Sequence, residues 1–207
     1  MLKNDIKKAM KHLSSKDKVL STIIKTNGII NLTQHKQYFN HLLKAIIGQQ
    51  LSVYASASIF KKFMAFYKNS PEPHLIVQTD DAALRSLGLS NAKVKYVKDL
   101  SQKIISGEVR LKGLTKKTNE KILTELTIVK GIGVWTVHMF LIFKLGRLDV
   151  LPFSDLGIRK SIMLHYNLKK LPDEKKIKSL AAKNNWHPYS SVASLFLWMS
   201  LDNKNES

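Results

Sequence analysis

Two glycines separated by one apolar residue, Gly131-Ile132-Gly133, follow Lys130 and precede Val134-Trp135-Thr136. Glycine tolerates positive φ, so the backbone can turn sharply there and leave amide N–H groups uncovered at the start of the next helix. Such a nest suits an anion, a phosphate above all, with Lys130 as a nearby countercharge. The same three residues equally suit an ordinary interhelical turn with glycine at a C-cap. Further along, Asp155 follows Leu151-Pro152-Phe153-Ser154. A fixed carboxylate stabilises positive charge developing beside it and can orient or deprotonate a water. Taken alone, Asp155 is also simply an acid in the first turn of a helix opened by Ser154, where the helix dipole favours it. Asp149 is the weaker candidate and reads as a loop or capping residue. Trp135, His138 and Met139 share one helical face, and a Trp face can stack on a planar cation. Met139 and His138 suit core packing as well, and His138 is assigned no proton transfer.

Other chemistry is excluded by what the chain lacks. It contains no cysteine, which removes disulfides, thiolate metal sites, cysteine nucleophiles and iron–sulfur clusters. The seven histidines show no close helical pair that would hold zinc. No cofactor and no required metal are expected. The longest apolar runs, such as Val134–Phe143, are far shorter than the roughly 20 residues of a membrane span, and Met1-Leu2-Lys3-Asn4-Asp5 has no apolar signal core. A soluble intracellular chain with no membrane partner is expected.

The elements that must position these residues sit in a chain of 207 residues with 34 Lys and Arg against 15 Asp and Glu, a formal charge of +19. Its 44% hydrophobic content is that of a packed protein rather than a basic tail. A folded surface this basic attracts polyanions, and nucleic acid is the commonest inside a cell. Arg85, Arg110, Arg147 and Arg159 are the only arginines, and a lysine-dominated surface suits diffuse phosphate attraction better than bidentate base reading. A lysine-rich composition is also what an AT-rich genome produces.

Apolar residues recur at helical spacing almost throughout, and alternating strand patterns are hard to find, so the fold class is all-α. Helices are expected at about 3–13, 16–26, 34–48, 53–67, 91–106 and 116–126. Between the third and fourth, Gly48 ends one helix and Ser52 caps the next. Pro71 and Pro73 mark a loop, and Thr79 caps a short helix ending at Gly88. After the glycine hairpin a helix runs to near Gly146. Ser154 then opens one helix, Pro172 lies in the first turn of another, and Ser190 or Ser191 opens the last. About ten short helices and no internal repeat are expected.

Gly131-Ile132-Gly133-Val134-Trp135-Thr136, followed by Asp149-Val150-Leu151-Pro152-Phe153-Ser154-Asp155-Leu156-Gly157-Ile158-Arg159, resembles the helix–hairpin–helix DNA glycosylase superfamily, in particular its 3-methyladenine DNA glycosylase II (alkylpurine) branch. Further matches fall in the same order: Ala45-Ile46-Ile47-Gly48-Gln49-Gln50-Leu51-Ser52, Leu87-Gly88-Leu89-Ser90-Asn91-Ala92-Lys93 and Trp186-His187-Pro188-Tyr189. Together they span about residues 38–198. The last motif carries Ser190 where the family usually has Arg, which puts a phosphate or structural contact in doubt. The first 37 or so residues are helical in character, so this resembles the compact form that lacks a β-rich N-terminal domain.

The resemblance implies a single glycosylase domain over 1–207, two-lobed, with a cleft between the lobes. Lobe one is expected at about 40–147, including the hairpin 126–136, and lobe two at about 1–39 plus 148–207. It implies a monofunctional glycosylase that removes N3- or N7-alkylated purines, such as 3-methyladenine and 7-methylguanine, from duplex DNA by base flipping and hydrolysis. The lyase-competent members carry a Schiff-base Lys two residues after the second hairpin glycine, and Trp135 stands there. Asp155 takes the catalytic position. Trp135, Met139, His138 and Phe39 are expected to line the base pocket, and Trp186, Tyr189 and Trp198 are further aromatic candidates. Gln50, with Leu51, is expected to fill the hole in the base stack, a Gln amide also being able to reach minor-groove edges; helix-terminus capping is the alternative for Gln49 and Gln50. Lys130, Gly131, Ile132, Gly133, Thr136 and Ser52 are expected to hold the DNA backbone; the Lys93–Lys95 region is a further candidate for phosphate contact, with a solvated surface as the alternative and no individual lysine there assigned. A monovalent cation on the Val129 and Ile132 carbonyls is a further family implication. The expected partner is duplex DNA containing alkylated bases, the expected state a monomer, and the expected location the bacterial nucleoid or a eukaryotic nucleus. The alternatives are a glycosylase for another lesion and a non-catalytic helix–hairpin–helix DNA-binding protein.

Overall fold

The computed structural model describes residues 2–30 and 32–202. All regular structure among them is helical. In chain order the helices are α1 (Leu2–Lys16), α2 (Lys18–Asn27), α3 (Tyr38–Gly48), α4 (Val53–Phe66), α5 (Pro73–Gln78), α6 (Asp81–Ser86), α7 (Asn91–Ile105), α8 (Asn119–Thr127), α9 (Val134–Phe143), α10 (Leu156–His165), α11 (Glu174–Lys183) and α12 (Ser190–Asp202), with a 3₁₀ turn at Leu114–Lys116 before α8. No helix is long and apolar enough among the described residues to cross a membrane.

Several boundaries depart from the periodicity, and each departure has a capping cause. Pro73 is not in a loop but is the first residue of α5, where its fixed φ suits a helix start and its missing N–H costs nothing. Thr79 does not open the next helix; its hydroxyl donates to the Leu75 carbonyl at 2.7 Å and closes α5, leaving Asp80 to precede α6. α11 begins after Pro172, with the Asp173 carboxylate accepting from Lys176 N–H at 2.8 Å. Ser154 does not cap α10: Asp155 does, through its own carboxylate.

The chain forms two compact units. One takes the chain up to Gln34 and again from Leu141 onward; the other is His35–Phe140. Both boundaries lie several residues earlier than the motif spacing implied, and the second falls inside α9. In the first unit α12 packs against α1, α2 and α10, and α1 against α2. Its core includes Leu13, Leu20, Ile158, Ile162, Trp186 and Phe196, all fully buried. In the second unit α7 packs against α3, α5 and α6, and α3 packs on α4. Leu42, Ile46, Phe63, Ile76, Leu84 and Leu100 fill that core. Residues of α9 are apolar on nearly every side, and Val134, Trp135 and Phe143 are its exposed positions.

An unforeseen polar centre ties the first unit together. Asp17 ends α1, caps α2 and is 2% exposed. One carboxylate oxygen accepts from Val19 N–H at 2.9 Å and Leu20 N–H at 3.1 Å; the other accepts from Tyr166 O–H at 2.5 Å and Trp186 Nε1–H at 2.8 Å. A buried carboxylate is tolerable only with such a set of donors. Burial, and next the neighbouring Asp17, push the Tyr166 hydroxyl well above its ordinary range, so it remains a donor. Trp186 is thereby a core anchor at 0% exposure rather than a wall of any pocket.

Candidate active site

In the second unit, the hairpin is built at the junction of α8 and α9. Gly131 has φ +82°, and a Cβ placed on it would come within 2.3 Å of the Tyr96 ring, so this position requires glycine on both grounds. Gly133 has no such demand: a Cβ there meets nothing within 4 Å. Val129 and Ile132 are buried, and the Ile132 N–H donates to the Val129 carbonyl at 3.0 Å. A cation on the Val129 carbonyl would therefore share an oxygen already engaged in the turn. The Lys130 backbone N–H is also engaged, by the Asp99 carboxylate at 2.8 Å. Lys130 can thus meet a phosphate through its exposed side chain, but its amide is committed to the fold. Thr136 is 9% exposed, which sets its side chain among the packed residues and not on the open face with Gly133 and Val134.

Asp99 belongs to α7 and also pairs with Lys103 at 2.7 Å, one turn on. Burial pushes its carboxyl up, but the Lys103 ammonium and the Lys130 N–H outweigh that and hold it below its ordinary value. It stays an acceptor at neutral pH. Two further residues of α7 reach toward the same region. Tyr96 lies over Gly131, and Lys93 Nζ donates to the Ile47 carbonyl at 2.8 Å. Lys93 is therefore turned inward and not held out toward phosphates, and burial lowers its pKa.

The Ile47 carbonyl stands just before the turn that joins α3 to α4. Gly48 is tight against α4, since a Cβ on it would meet Ser56 Oγ at 2.7 Å. Gln50 is exposed and has φ +56°, the left-handed region, in which a side chain with a Cβ is strained. Strain of this kind persists where surrounding structure imposes it and is often found at functional positions. Ser52 caps α4, its hydroxyl accepting from Ala55 N–H at 3.2 Å. Leu51, Val53 and Tyr54 beside it are exposed, Tyr54 at 89%. Gln49 is half-buried, and its side-chain amide donates to the Gly131 carbonyl at 2.6 Å. Capping is thus not its principal contact: it joins the Gln50 turn to the hairpin.

The other expected pocket residues of this unit divide by exposure. Trp135 is 48% exposed. Met139 and Phe39 are half-buried, Phe39 in the first turn of α3. His138 is 7% exposed and belongs mainly to the packed body of α9.

Asp155 lies in the first unit. One carboxylate oxygen accepts from Ile158 N–H at 2.9 Å and from Trp198 Nε1–H at 2.8 Å. The capping role and a fixed orientation are thus one arrangement. Trp198 is stacked on Phe143 with ring centroids 5.8 Å apart and planes at 28°. Gly157 makes room for this: a Cβ there would lie 3.0 Å from the Trp198 ring and 3.1 Å from the Asp155 carboxylate. Asp149 accepts from Ser190 N–H at 3.2 Å and contacts His187 Nδ1 at 2.5 Å. Ser190 is buried, and at the start of α12 it stands on this contact. Tyr189 lies edge-on to His12, with centroids 5.2 Å apart, and is a packing residue. The spacing of Lys93, Tyr96 and Asp99 marks one stripe of α7, but nothing in the sequence names the partners of that stripe. Trp198 could be singled out as an aromatic and not as a donor to Asp155. Among the described residues no group of three His, Asp or Glu side chains is placed to hold a metal ion.

Comparison with known proteins gives a consistent result. A family model described as HhH-GPD superfamily base excision DNA repair protein matches residues 43–186. DNA-3-methyladenine glycosylase 1 of Schizosaccharomyces pombe is 33% identical over 197 residues, 92% of this chain and 86% of that protein. The structure of a Schizosaccharomyces pombe 3-methyladenine DNA glycosylase in complex with abasic DNA matches with a TM-score of 0.81 and 31% identity, covering 94% of this chain and 97% of that one. The crystal structure of a Bacillus halodurans DNA-3-methyladenine glycosidase matches with a TM-score of 0.86 and 30% identity, covering 96% and 91%.

Proposed function

Because the chain belongs to the HhH-GPD superfamily of base excision DNA repair proteins, we propose that it is a monofunctional DNA glycosylase that releases N3- and N7-alkylated purines from duplex DNA. The observation that carries this reading is the Asp155 carboxylate, held by Ile158 N–H and Trp198 Nε1–H at the head of α10. Relatives named as 3-methyladenine glycosylases at about 30% identity support the substrate class.

In this mechanism the hairpin around Gly133 and the Lys130 side chain hold a phosphate, which positions the duplex without reading its sequence. The alkylated nucleotide leaves the stack, Gln50 enters the gap, and the half-exposed Trp135 indole stacks on the extruded base. Alkylation at N3 or N7 makes the purine a cation, so a cation–π contribution of about 0.5–2 kcal/mol favours it over an ordinary base. The same charge makes the base a good leaving group. The electron pair of the bond between C1′ and the purine returns to the ring and neutralises it, so no general acid has to protonate the base. Positive charge then builds on the deoxyribose, where the Asp155 carboxylate stabilises it electrostatically and orients water for attack on C1′. The water proton passes to Asp155 or to solvent. With Trp135 in place of an amine nucleophile, the product is an intact abasic site.

Incubation of the purified protein with methylated duplex DNA, without added metal, tests this directly. Wild type is expected to release 3-methyladenine and to leave the strand unbroken. Asp155→Asn is expected to slow release by orders of magnitude while still binding lesion duplex. Near-normal release by Asp155→Asn would move the catalytic role elsewhere. Release of a different base from a lesion panel would change the substrate class, and salt-sensitive DNA binding with no release of any base would reduce the protein to a DNA-binding role.

A further inference from the structure

The hairpin and the Gln50 turn come from chain segments 82 residues apart, yet they share a hydrogen bond: Gln49 Nε2 donates to the Gly131 carbonyl at 2.6 Å. They also share a support. Along one stripe of α7, Lys93 holds the Ile47 carbonyl before the Gln50 turn, Tyr96 lies against Gly131, and Asp99 holds the Lys130 N–H. Spacings of three residues keep all three side chains on that face. Neither turn can shift without stretching a contact to the other or to this helix. Moreover, Gln50 sits in a strained left-handed conformation at the free end of the arrangement, which a loosely tethered turn would relax.

We propose that Gln49 is a positioning residue which, with the Lys93, Tyr96 and Asp99 stripe of α7, couples the hairpin to the Gln50 turn, so that phosphate capture and filling of the base stack occur as one event. This rests on the reading of the hairpin as a phosphate grip and of Gln50 as the inserted residue. Its consequence is selectivity. Undamaged duplex engages the hairpin alone, whereas a duplex with an extrahelical or missing base engages both turns, and the coupling adds to affinity only in the second case.

The test is a double-mutant cycle on two duplexes, one undamaged and one carrying a tetrahydrofuran abasic analogue. Gln49→Met keeps the side-chain length and removes the donor. It is expected to weaken abasic-duplex binding by about five- to tenfold, the size of one net hydrogen bond, and to change undamaged-duplex binding by less than about twofold. Gln50→Ala should weaken abasic-duplex binding strongly in the wild-type background and only slightly in the Gln49→Met background. A merely structural Gln49 would instead lower the melting temperature, weaken both duplexes together and combine additively with Gln50→Ala, and that pattern overturns the proposal. Should Gln49→Met not fold, Lys93→Met loosens the same turn from α7 and is put through the same cycle with the same criteria. If wild-type protein itself binds abasic and undamaged duplex equally, the underlying reading of the two turns fails, an outcome distinct from additivity.

Discussion

Asp155 serves two ends with one carboxylate. As an N-cap it accepts from Ile158 N–H, and as a candidate catalyst it is oriented by Trp198, which donates to the same oxygen. The capping bond explains why an acid is locally favoured here, and the indole bond explains why it does not swing to solvent. Trp198→Phe separates the two roles, because the ring keeps its stacking on Phe143 while the donor is lost. Excision is expected to slow by about tenfold with folding retained, the scale of one hydrogen bond to a charged group. Single-turnover release of 3-methyladenine measures it, and an unchanged rate would leave Trp198 with a packing role only. Asp155 was legible as a position in a motif. Its partner was not, since Trp198 lies 43 residues away on a separate helix and nothing in its spacing marks it as a donor.

At the level of elements, the hairpin's two glycines differ although the motif treats them alike. Gly131 has positive φ and the Tyr96 ring against it; Gly133 faces open space. Gly131→Ala is therefore expected to lower the melting temperature measurably, with DNA binding lost as a consequence of a distorted hairpin. Gly133→Ala is expected to melt close to wild type and still weaken binding to damaged and undamaged duplex alike, because in the proposed mechanism its methyl group stands where a phosphate approaches the backbone. Thermal unfolding beside duplex titration distinguishes the two. A normal melt with normal binding in Gly133→Ala would remove that glycine from the phosphate site. Helix ends were legible where a cap residue stood next to an apolar period, as at Ser52. They were missed where two capping residues adjoined: at Ser154 and Asp155 only the backbone geometry selects which side chain reaches the free amides, and at Thr79 and Asp80 the Thr79 hydroxyl turns back to close α5 while Asp80 precedes α6 without a side-chain cap.

Across the whole molecule, the first unit draws on both ends of the chain, and Asp17 is where they meet. Its carboxylate joins the α1–α2 junction to Tyr166, 149 residues on, and to Trp186, 169 residues on. Asp17→Ala removes the cap of α2 and leaves the buried Trp186 indole N–H and the part-buried Tyr166 hydroxyl without this acceptor. A loss of about 3 kcal/mol is expected, seen as a fall of roughly 6–12 °C in melting temperature. A smaller shift than about 2 °C would mean that water or repacking satisfies those donors. The charge of +19 acts at this scale too, drawing any duplex toward the surface without selecting a lesion.

The linear chain carries the helical periodicity, the glycines of the hairpin, the motif position of Asp155 and the Trp that follows the hairpin. These depend on local backbone preference and on residue type, which are written in consecutive positions. It does not carry the Gln49 bond to Gly131, the α7 stripe behind both turns, the Trp198 donor, or the four hydrogen bonds to Asp17. Each of those pairs side chains or carbonyls from distant segments, and a hydrogen bond exists only where folding brings its donor and acceptor to about 3 Å with the right direction. For the same reason the burial of Thr136 escaped a reading by helical face, whereas core packing was already open to His138: tertiary packing buries polar positions that periodicity alone would turn outward.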